Sequence, residues 1–263
     1  MYAFTLERPT TLADAKRLTG GGAQALAGGQ TLIASMKQRL MRPENLIDLG
    51  GVAELQGIRV DGQTIVIGAM TKHQDVAANA DVRRLIPGLA ALAEGIGDRQ
   101  VRAMGTMGGS VANNDPAACY PSAVLGLGAT VVTDRREIKA DDFFQGLYTT
   151  ALDAGELITA IRFPVPTKAA YAKFRQPASR FALVGVFVAQ TAGGVRVAIT
   201  GTGNGVFRHA GLEAALAKSF TPEAVQGVQI DASEISGDLH ASSAYRAHMV
   251  TVQTQAAVRQ ANG

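Results

Sequence analysis

The sequence predicts an α+β protein. A two-lobed N-terminal region, with a small α/β lobe and a larger mixed-sheet lobe, is followed by a C-terminal α+β domain with a short antiparallel sheet and helices. Three observations support this prediction: strand and helix patterns alternate early in the chain, a hairpin pattern begins at residue 58, and Pro164 and Pro166 interrupt any regular element. We therefore place lobe 1 at residues 1–55, lobe 2 at 56–164 and the C-terminal domain at 167–263.

Lobe 1 has the alternation of an α/β unit, with capping residues before its helices and glycine or proline after them. Its predicted elements are a strand at residues 2–6, a helix from Thr11 to the glycines at 20–22, a strand at 23–27, a helix from Leu32 to Pro43 and a strand at 46–49.

Lobe 2 begins with two apolar runs joined by Asp61 and Gly62, which is typical of a hairpin. Its further predicted elements are a helix capped near Thr71, a helix at 85–96 broken at Pro87, extended chain at 111–114, strands at 125–133 and 157–163, and a connection at 141–142.

The C-terminal domain is predicted to contain two strands and then helices. The strands lie at 181–190 and 195–200, and the helices at 212–218, from Thr221 onwards, and at 242–260.

Composition excludes several classes of function. The net charge is only +3 and the chain has no Trp, so no nucleic-acid surface is expected. Cys119 is the only cysteine, so this chain alone cannot form a disulfide or ligate an iron–sulfur cluster through thiolates. No apolar run approaches the ~20 residues of a transmembrane helix and no leader pattern begins the sequence, so we expect a cytoplasmic protein.

Two glycine turns carry the predicted binding chemistry. Residues 105–110 hold three glycines beside Thr106 and Ser110, and residues 27–31 combine a small residue, two glycines and a hydroxyl. Such turns bend tightly and leave backbone amides uncovered, and uncovered amides attract anions. Two of them can hold one diphosphate, although each alone is also typical of an ordinary structural turn in a chain with 30 glycines.

A longer set of motifs resembles one family. The chain carries, in the family's order and at about its separations, Ala-Gly-Gly-Gln-Thr-Leu at 27–32, Gly-Ala-Met-Thr at 68–71, Gly-Thr-Met-Gly-Gly-Ser at 105–110 and Asp-Pro-Ala-Ala at 115–118. It is similar to the FAD-binding medium subunits of molybdenum hydroxylases, which include the carbon monoxide dehydrogenase medium subunit and the xanthine dehydrogenase flavin domain. Further matches at 171–174 and 240–246 extend the similarity over nearly the whole chain.

This resemblance implies that lobes 1 and 2 form an FAD-binding domain. In the family the two turns cradle the FAD diphosphate, apolar residues lie beside the flavin, and a basic residue lies at the cofactor. The implied FAD-binding residues are Ala27, Gly28, Gly29, Gln30, Thr31, Val101, Thr106, Met107, Gly108, Gly109, Ser110, Cys119, Ile158 and Lys173.

Two of these positions depart from the family pattern. Ser110 stands where the family most often has Asn, and Cys119 stands where many relatives have an Asp that accepts a hydrogen bond from the cofactor. A thiol is a poor substitute for that carboxylate. The contact is then either dispensable here or supplied by Asp115 or Tyr120. No His, Tyr or Cys lies within residues 27–31, which favours noncovalent FAD.

The function that the resemblance implies is electron transfer. In the family the medium subunit receives electrons from an iron–sulfur small subunit with [2Fe–2S] clusters, which draws them from a large subunit with the molybdenum cofactor, and its flavin passes them to an external acceptor. This predicts an oxidoreductase subunit in a heterotrimer or its dimer. A self-sufficient flavin oxidase or reductase of the same fold, and a nucleotide-binding scaffold without turnover, remain alternatives.

Other catalytic motifs are incomplete. Val206 occupies the last glycine position of a dinucleotide fingerprint at 201–206, and no P-loop occurs. Ser110 nearly matches a nucleophile elbow, but Ala112 replaces the last glycine. A thiol enzyme built on Cys119 is less favoured than a serine hydrolase built on Ser110. His240 and His248 are two turns apart but have no third metal ligand nearby. We therefore expect no catalytic residue and no metal site in this chain.

Overall fold

The computed structural model describes residues 1–263, and lobe 1 is a small parallel sheet with two helices. Its elements are β1 (Thr5–Glu7), α1 (Leu12–Gly20), β2 (Gln24–Leu26), α2 (Leu32–Lys37) and β3 (Asn45–Asp48). The strand order is β1-β3-β2, and both neighbouring pairs are parallel. Thr11 caps α1 by accepting a hydrogen bond from the Asp14 amide, as its sequence predicts.

The core of lobe 1 is shared with lobe 2. Short 3₁₀ helices at Leu49–Gly51 and Ala53–Leu55 lead from β3 into lobe 2. Met70 and Leu157 of lobe 2 pack into the same buried cluster as Ile47 of β3. The position of lobe 1 against lobe 2 is therefore set by apolar packing.

Lobe 2 combines an antiparallel sheet with a layer of short helices. Its first part comprises β4 (Ile58–Asp61), β5 (Thr64–Gly68), α3 (His73–Ala78), α4 (Ala80–Leu85), α5 (Pro87–Glu94), α6 (Arg99–Met104), α7 (Met107–Asn113) and α8 (Tyr120–Gly126). Its second part comprises β6 (Thr130–Thr133), β7 (Glu137–Lys139), α9 (Ala140–Phe143), β8 (Phe144–Gly146), β9 (Thr149–Thr150) and β10 (Ile158–Pro164).

The main sheet of lobe 2 has the order β4-β5-β10-β6-β7. Every neighbouring pair in it is antiparallel, which refines the expected mixed sheet. The sequence-predicted hairpin is observed between β4 and β5, but its two-residue turn is Gly62 and Gln63, because Asp61 still pairs with Thr64 as the last residue of β4.

Residues 111–114 are helical and not extended, so that expectation is wrong. Thr106 caps α7 with its side chain, and Met107 and Val111, one helical turn apart, are both buried in the core of lobe 2. Asn114 ends the helix in the left-handed conformation, with φ 43°. The glycines and the serine between those apolar residues have little helical preference. The helix forms because its buried face packs against neighbouring elements.

Two further expectations for lobe 2 are corrected. Residues 125–133 do not form one strand, because α8 runs to Gly126 and β6 begins only at Thr130. The acidic pair at 141–142 lies in the short helix α9 and not in an irregular connection.

The C-terminal region is a four-stranded antiparallel sheet covered by helices. Its elements are β11 (Lys168–Arg175), β12 (Ala182–Thr191), β13 (Gly194–Thr200), β14 (Phe207–Arg208), α10 (Ala210–Lys218) and α11 (Ser243–Asn262), with 3₁₀ turns at Pro222–Val225 and Ala232–Glu234. The strand β11 is missing from the sequence prediction because its alanine-rich segment lacks a β-branched pattern, and its pairing with β12 makes it a strand.

The sheet of the C-terminal region has a different core on each face. One face, with Val186 and Val197, packs on α10 and α11. The other face, with Tyr171 and Phe187, joins the main core of lobe 2. No helix combines the length and the apolar character that crossing a bilayer would need.

Candidate functional site

The first glycine turn connects β2 to α2 and presents a run of free amides. The backbone N–H groups of residues 28–31 donate to no acceptor within the protein. Gly29 has φ +68°, a conformation that favours glycine, and Thr31 begins α2 without a capping hydrogen bond from its own side chain. Four consecutive donors therefore remain for an anion.

The amides of the second turn are already paired. The Met107 amide donates to the carbonyl of Thr71 (3.0 Å) and the Gly108 amide to that of Ala69 (2.8 Å). The side chain and carbonyl of Thr106 accept from the amides of Gly109 and Ser110. The expectation of bare amides at residues 107–110 is therefore wrong, and the half-buried Ser110 hydroxyl is the polar group that this turn leaves for a ligand.

The two turns touch, although 76 positions separate Gly28 from Met104. A Cβ atom at Gly28 would lie 2.2 Å from the carbonyl oxygen of Met104, and one at Gly109 would lie 3.3 Å from the Cβ of Ala27. Contacts below 3 Å are not tolerated, so glycine is required at position 28 for this approach. The free amides of the first turn are thus held beside the N-terminus of α7.

Gly108 has a structural role in the same place. A Cβ atom there would lie 2.5 Å from the Cβ of Ala69, so this glycine lets α7 pack on the end of β5. Gly108 and Met107 are both buried. These two buried residues therefore fix the position of α7 in the core and are not exposed to a ligand.

A second cluster forms around Lys173 on β11. The Lys173 ammonium donates to the carbonyls of Gly95 (2.7 Å) and Arg180 (2.9 Å) and to the Cys119 sulfur (3.4 Å). These contacts use its three protons. Lys173 therefore fixes the loop after α5, the β11–β12 connection and Cys119 relative to one another.

Cys119 is buried at the start of α8, beside Tyr171. Burial first, and then the neighbouring Cys119, raise the pKa of the Tyr171 hydroxyl well above its usual value. That hydroxyl has no hydrogen-bond partner within the protein. The Cys119 thiol and the neutral Tyr171 phenol thus lie side by side where the family pattern has a carboxylate.

Val101 and Ile158 lie in different settings. Val101 is half-buried on α6, with its side chain beside Gly97 and its carbonyl beside Gly105. Ile158 is buried at the start of β10. The structure therefore brings the two turns together, links Cys119 to Lys173, and places Val101 on the helix between these clusters.

His73 is a further residue of this region that the sequence left without a role. Its ring lies under Gly105, where a Cβ atom would be 2.5 Å from Nε2, and 5.2 Å from the Tyr120 ring. Burial first, and then Arg102, lower the pKa of His73 to about 4, so it is neutral at pH 7. A lone histidine at the start of a helix carries no sequence signal for this contact.

The residues present fit a diphosphate cofactor in this region. The two touching turns offer four free amides and one free hydroxyl, and no carboxylate is among the predicted ligands. Gly28 and Gly109 stand at the two points where a side chain would push the turns apart. The donor set is that of an anion site and agrees with the diphosphate of FAD.

Comparison with known proteins identifies the family. Residues 2–166 match the family described as the FAD binding domain in molybdopterin dehydrogenase. The chain is 35% identical to the carbon monoxide dehydrogenase medium chain of Hydrogenophaga pseudoflava, over 94% of this chain and 92% of that one. It is 32% identical to the glyceraldehyde dehydrogenase medium chain of Sulfolobus acidocaldarius, over 98% of both chains.

Solved structures show the same relationship. A structure of carbon monoxide dehydrogenase from Hydrogenophaga pseudoflava gives a TM-score of 0.90 at 34% identity, over 99% of this chain and 97% of that one. Quinoline 2-oxidoreductase from Pseudomonas putida 86 gives a TM-score of 0.88 at 26% identity. The chain is therefore an oxidoreductase subunit that belongs to the family of FAD-binding domains of the molybdopterin dehydrogenases.

Proposed function

We propose that this chain is the FAD-carrying electron-transfer subunit of a molybdenum hydroxylase complex. The observation that carries the proposal is the contact between the two glycine turns, which holds four free amides close to the N-terminal end of α7, the helix that carries Ser110. Relatives are named as medium chains and as a complex subunit, which supports a multi-subunit complex. An iron–sulfur small subunit, a molybdenum-cofactor large subunit, a heterotrimer or its dimer, and a cytoplasmic location are the finer parts of the proposal.

The residues of this chain would bind and position the cofactor. The amides of residues 28–31 and the hydroxyl of Ser110 would hold the diphosphate, while Ala27, Thr106 and the glycines shape its seat. Because His73 behind the turn is neutral, the positive potential at the diphosphate would come from the backbone N–H dipoles of the turn. When bound, FAD supplies the redox chemistry.

The flavin end of the site would be formed by Val101, Ile158 and the Lys173 cluster. Lys173 is held by three protein groups, so its charge would act on the cofactor from a fixed position. Cys119 in place of a carboxylate removes one negative charge from that neighbourhood, and a nearby charge changes a redox group's potential. These roles are proposals for the residues that the family resemblance selects.

The identity of the cofactor is tested by denaturing the purified chain and separating the released flavin. We expect FAD in a one-to-one ratio, because the free amides suit a diphosphate within a dinucleotide. Recovery of FMN instead would contradict the diphosphate assignment.

The electron-transfer role is tested with the FAD-loaded chain under anaerobic conditions. We expect that a candidate substrate leaves the flavin absorbance unchanged until the partner subunits are added, because this chain has one cysteine and holds no cluster of its own. Rapid bleaching by the lone chain, with steady turnover on adding an acceptor, would instead establish a self-sufficient oxidase.

A further inference from the structure

Lobe 1 exposes an apolar and basic turn directly after α2. We call residues 37–42, together with Tyr2, the lobe 1 tip. Leu40 is 74% exposed, Met41 40% and Tyr2 42%. Exposed large apolar side chains that cluster in this way mark interaction surfaces more often than isolated ones do.

The turn is hydrogen-bonded to the end of α2, and it departs from the usual residue preferences for ending a helix. The Leu40 amide donates to the Ser35 carbonyl (2.9 Å) and the Arg39 amide to that of Met36 (3.0 Å), which together form a Schellman motif. This motif usually places glycine where Arg39 stands with φ 61°, and packs the next apolar side chain back on the helix. Here the residue with positive φ is an arginine, and Leu40 points into solvent. Such departures occur where function outweighs local stability.

The cations of the tip are not neutralised within the chain. Lys37, Arg39 and Arg42 take part in none of its ion pairs. The guanidinium carbons of Arg39 and Arg42 lie 5.6 and 5.0 Å from the centre of the Tyr2 ring, so one exposed aromatic ring holds both. The tip therefore presents ordered positive charge around an apolar centre.

We propose that the lobe 1 tip docks on an acidic surface with an apolar centre that belongs to another subunit of the complex. The inference rests on the proposed function, since it requires a partner subunit. Charge decides the occupant: a second copy of this chain would bring three cations against three cations, whereas carboxylates around an apolar pocket would pair with them. A membrane surface fits less well, because the tip is a tight turn and not an amphipathic helix.

The test uses the FAD-loaded chain and the purified partner subunits. The variant Arg39→Glu/Arg42→Glu reverses two charges of the tip. The matched control, Lys218→Glu/Arg259→Glu, reverses two exposed charges that also form no ion pair, on α10 and α11. A third variant, Leu40→Ser, removes only the apolar centre. Affinity for the partners, its dependence on salt, FAD per chain and the melting temperature are measured for each.

We expect the tip variant to bind its partners at least about tenfold more weakly and to lose the salt dependence of the wild type. Leu40→Ser should weaken binding and keep that dependence, and the control should bind as the wild type does. FAD content should be equal in all four proteins. Unchanged affinity of the tip variant in a complex that assembles would overturn the docking surface and leave the proposed function intact. Absence of assembly by the wild type would overturn both.

Two other occupants would also be detected. If the wild type, but not the tip variant, dimerises in sedimentation experiments, the surface belongs to a second copy of the chain. If the same contrast is seen with vesicles containing phosphatidylserine while assembly is unaffected, the surface is a membrane contact. Either result would replace the docking proposal.

Discussion

Gly28 shows how a single residue position controls the approach of two distant segments. Its Cα faces the Met104 carbonyl so closely that a Cβ atom would be 2.2 Å from the oxygen. The sequence predicted a glycine turn here from its residue motif and an anion site from the amides that such a turn leaves uncovered, and the family resemblance then implied the FAD diphosphate. The need for glycine at this position comes from residues 104 and 105, which no local pattern around position 28 contains.

The first prediction concerns this contact. Gly28→Ala should destabilise the fold by about 1–3 kcal/mol, because the added methyl group must push the two turns apart, and it should reduce FAD retention. The matched control is Gly20→Ala at the end of α1, where a Cβ atom would meet no neighbour. Thermal melts and flavin absorbance measure both effects. Equal FAD content in the two variants would contradict the role of the contact.

The second prediction isolates charge from packing at Thr31. Asp and Asn are similar in size, and Thr31 makes no capping hydrogen bond that either would lose, so the apo chains of Thr31→Asp and Thr31→Asn should be nearly equal to each other in stability. Only the aspartate places a negative charge among the free amides, so only Thr31→Asp should weaken FAD binding, by about tenfold or more. Gly108 is unsuitable for such a test, because any side chain there collides with Ala69. Similar FAD affinities of the two Thr31 variants would remove the diphosphate from this turn.

Individual elements were predictable where their own residues carry the pattern. The hairpin of β4 and β5, the capped helix α1 and the long helix α11 follow from local signals that tertiary packing then uses. The helix α7 and the strand β11 were not predictable in this way. Glycine, serine and alanine leave them little intrinsic preference, and buried neighbours decide their conformation.

An ion pair between the half-exposed Arg136 and the buried Glu156 ties together the elements around β10. The Glu156 carboxylate, with no exposed side-chain surface, accepts hydrogen bonds from Arg136 (2.9 and 3.0 Å), the Asp153 amide (2.8 Å) and Thr133 (2.7 Å). Burial alone would raise the pKa of Glu156, but these donors outweigh it and lower the pKa to about 2. The charged form is therefore the one that the fold stabilises.

The third prediction is a dependence of stability on pH. The contribution of Glu156 is complete above its unfolded pKa of 4.5 and is lost as the pH falls towards 2. Glu156→Gln should therefore cost about 2 kcal/mol at pH 7, from lost hydrogen bonds to a charged group, and progressively less below pH 4.5. Urea unfolding of both proteins at several pH values measures the difference. A cost independent of pH would show that the charge does not matter.

At the scale of the whole molecule, the three regions share their cores. Gly88 of α5 lies so close to β11 that a Cβ atom would be 2.8 Å from the Ala169 carbonyl, and Gly126 of α8 is equally close to the Phe187 ring. The C-terminal sheet thus completes the core of lobe 2. This contact joins segments that are distant in sequence, so composition and periodicity could not predict it, and the boundary placed at Pro164 and Pro166 stays a prediction.

The fourth prediction follows from that shared core. A fragment of residues 1–166 should not fold to a native state, because it would expose the apolar surface that Tyr171 and Phe187 cover. Circular dichroism in the near ultraviolet and the dispersion of amide resonances measure native packing. A fragment that folds cooperatively and retains FAD would show that the boundary near residue 166 separates independent domains.

Because Cys119 is buried, the reactivity of its thiol measures how often the surrounding structure opens. It carries the only thiol, 6% exposed where α8, β11 and the shared core meet. A maleimide reagent can therefore modify the protein only when this junction separates, so the labelling rate measures the free energy of that opening under native conditions. Mass spectrometry would read this rate as a single mass increment per chain. Bound cofactor should slow the modification, because it would stabilise the closed junction.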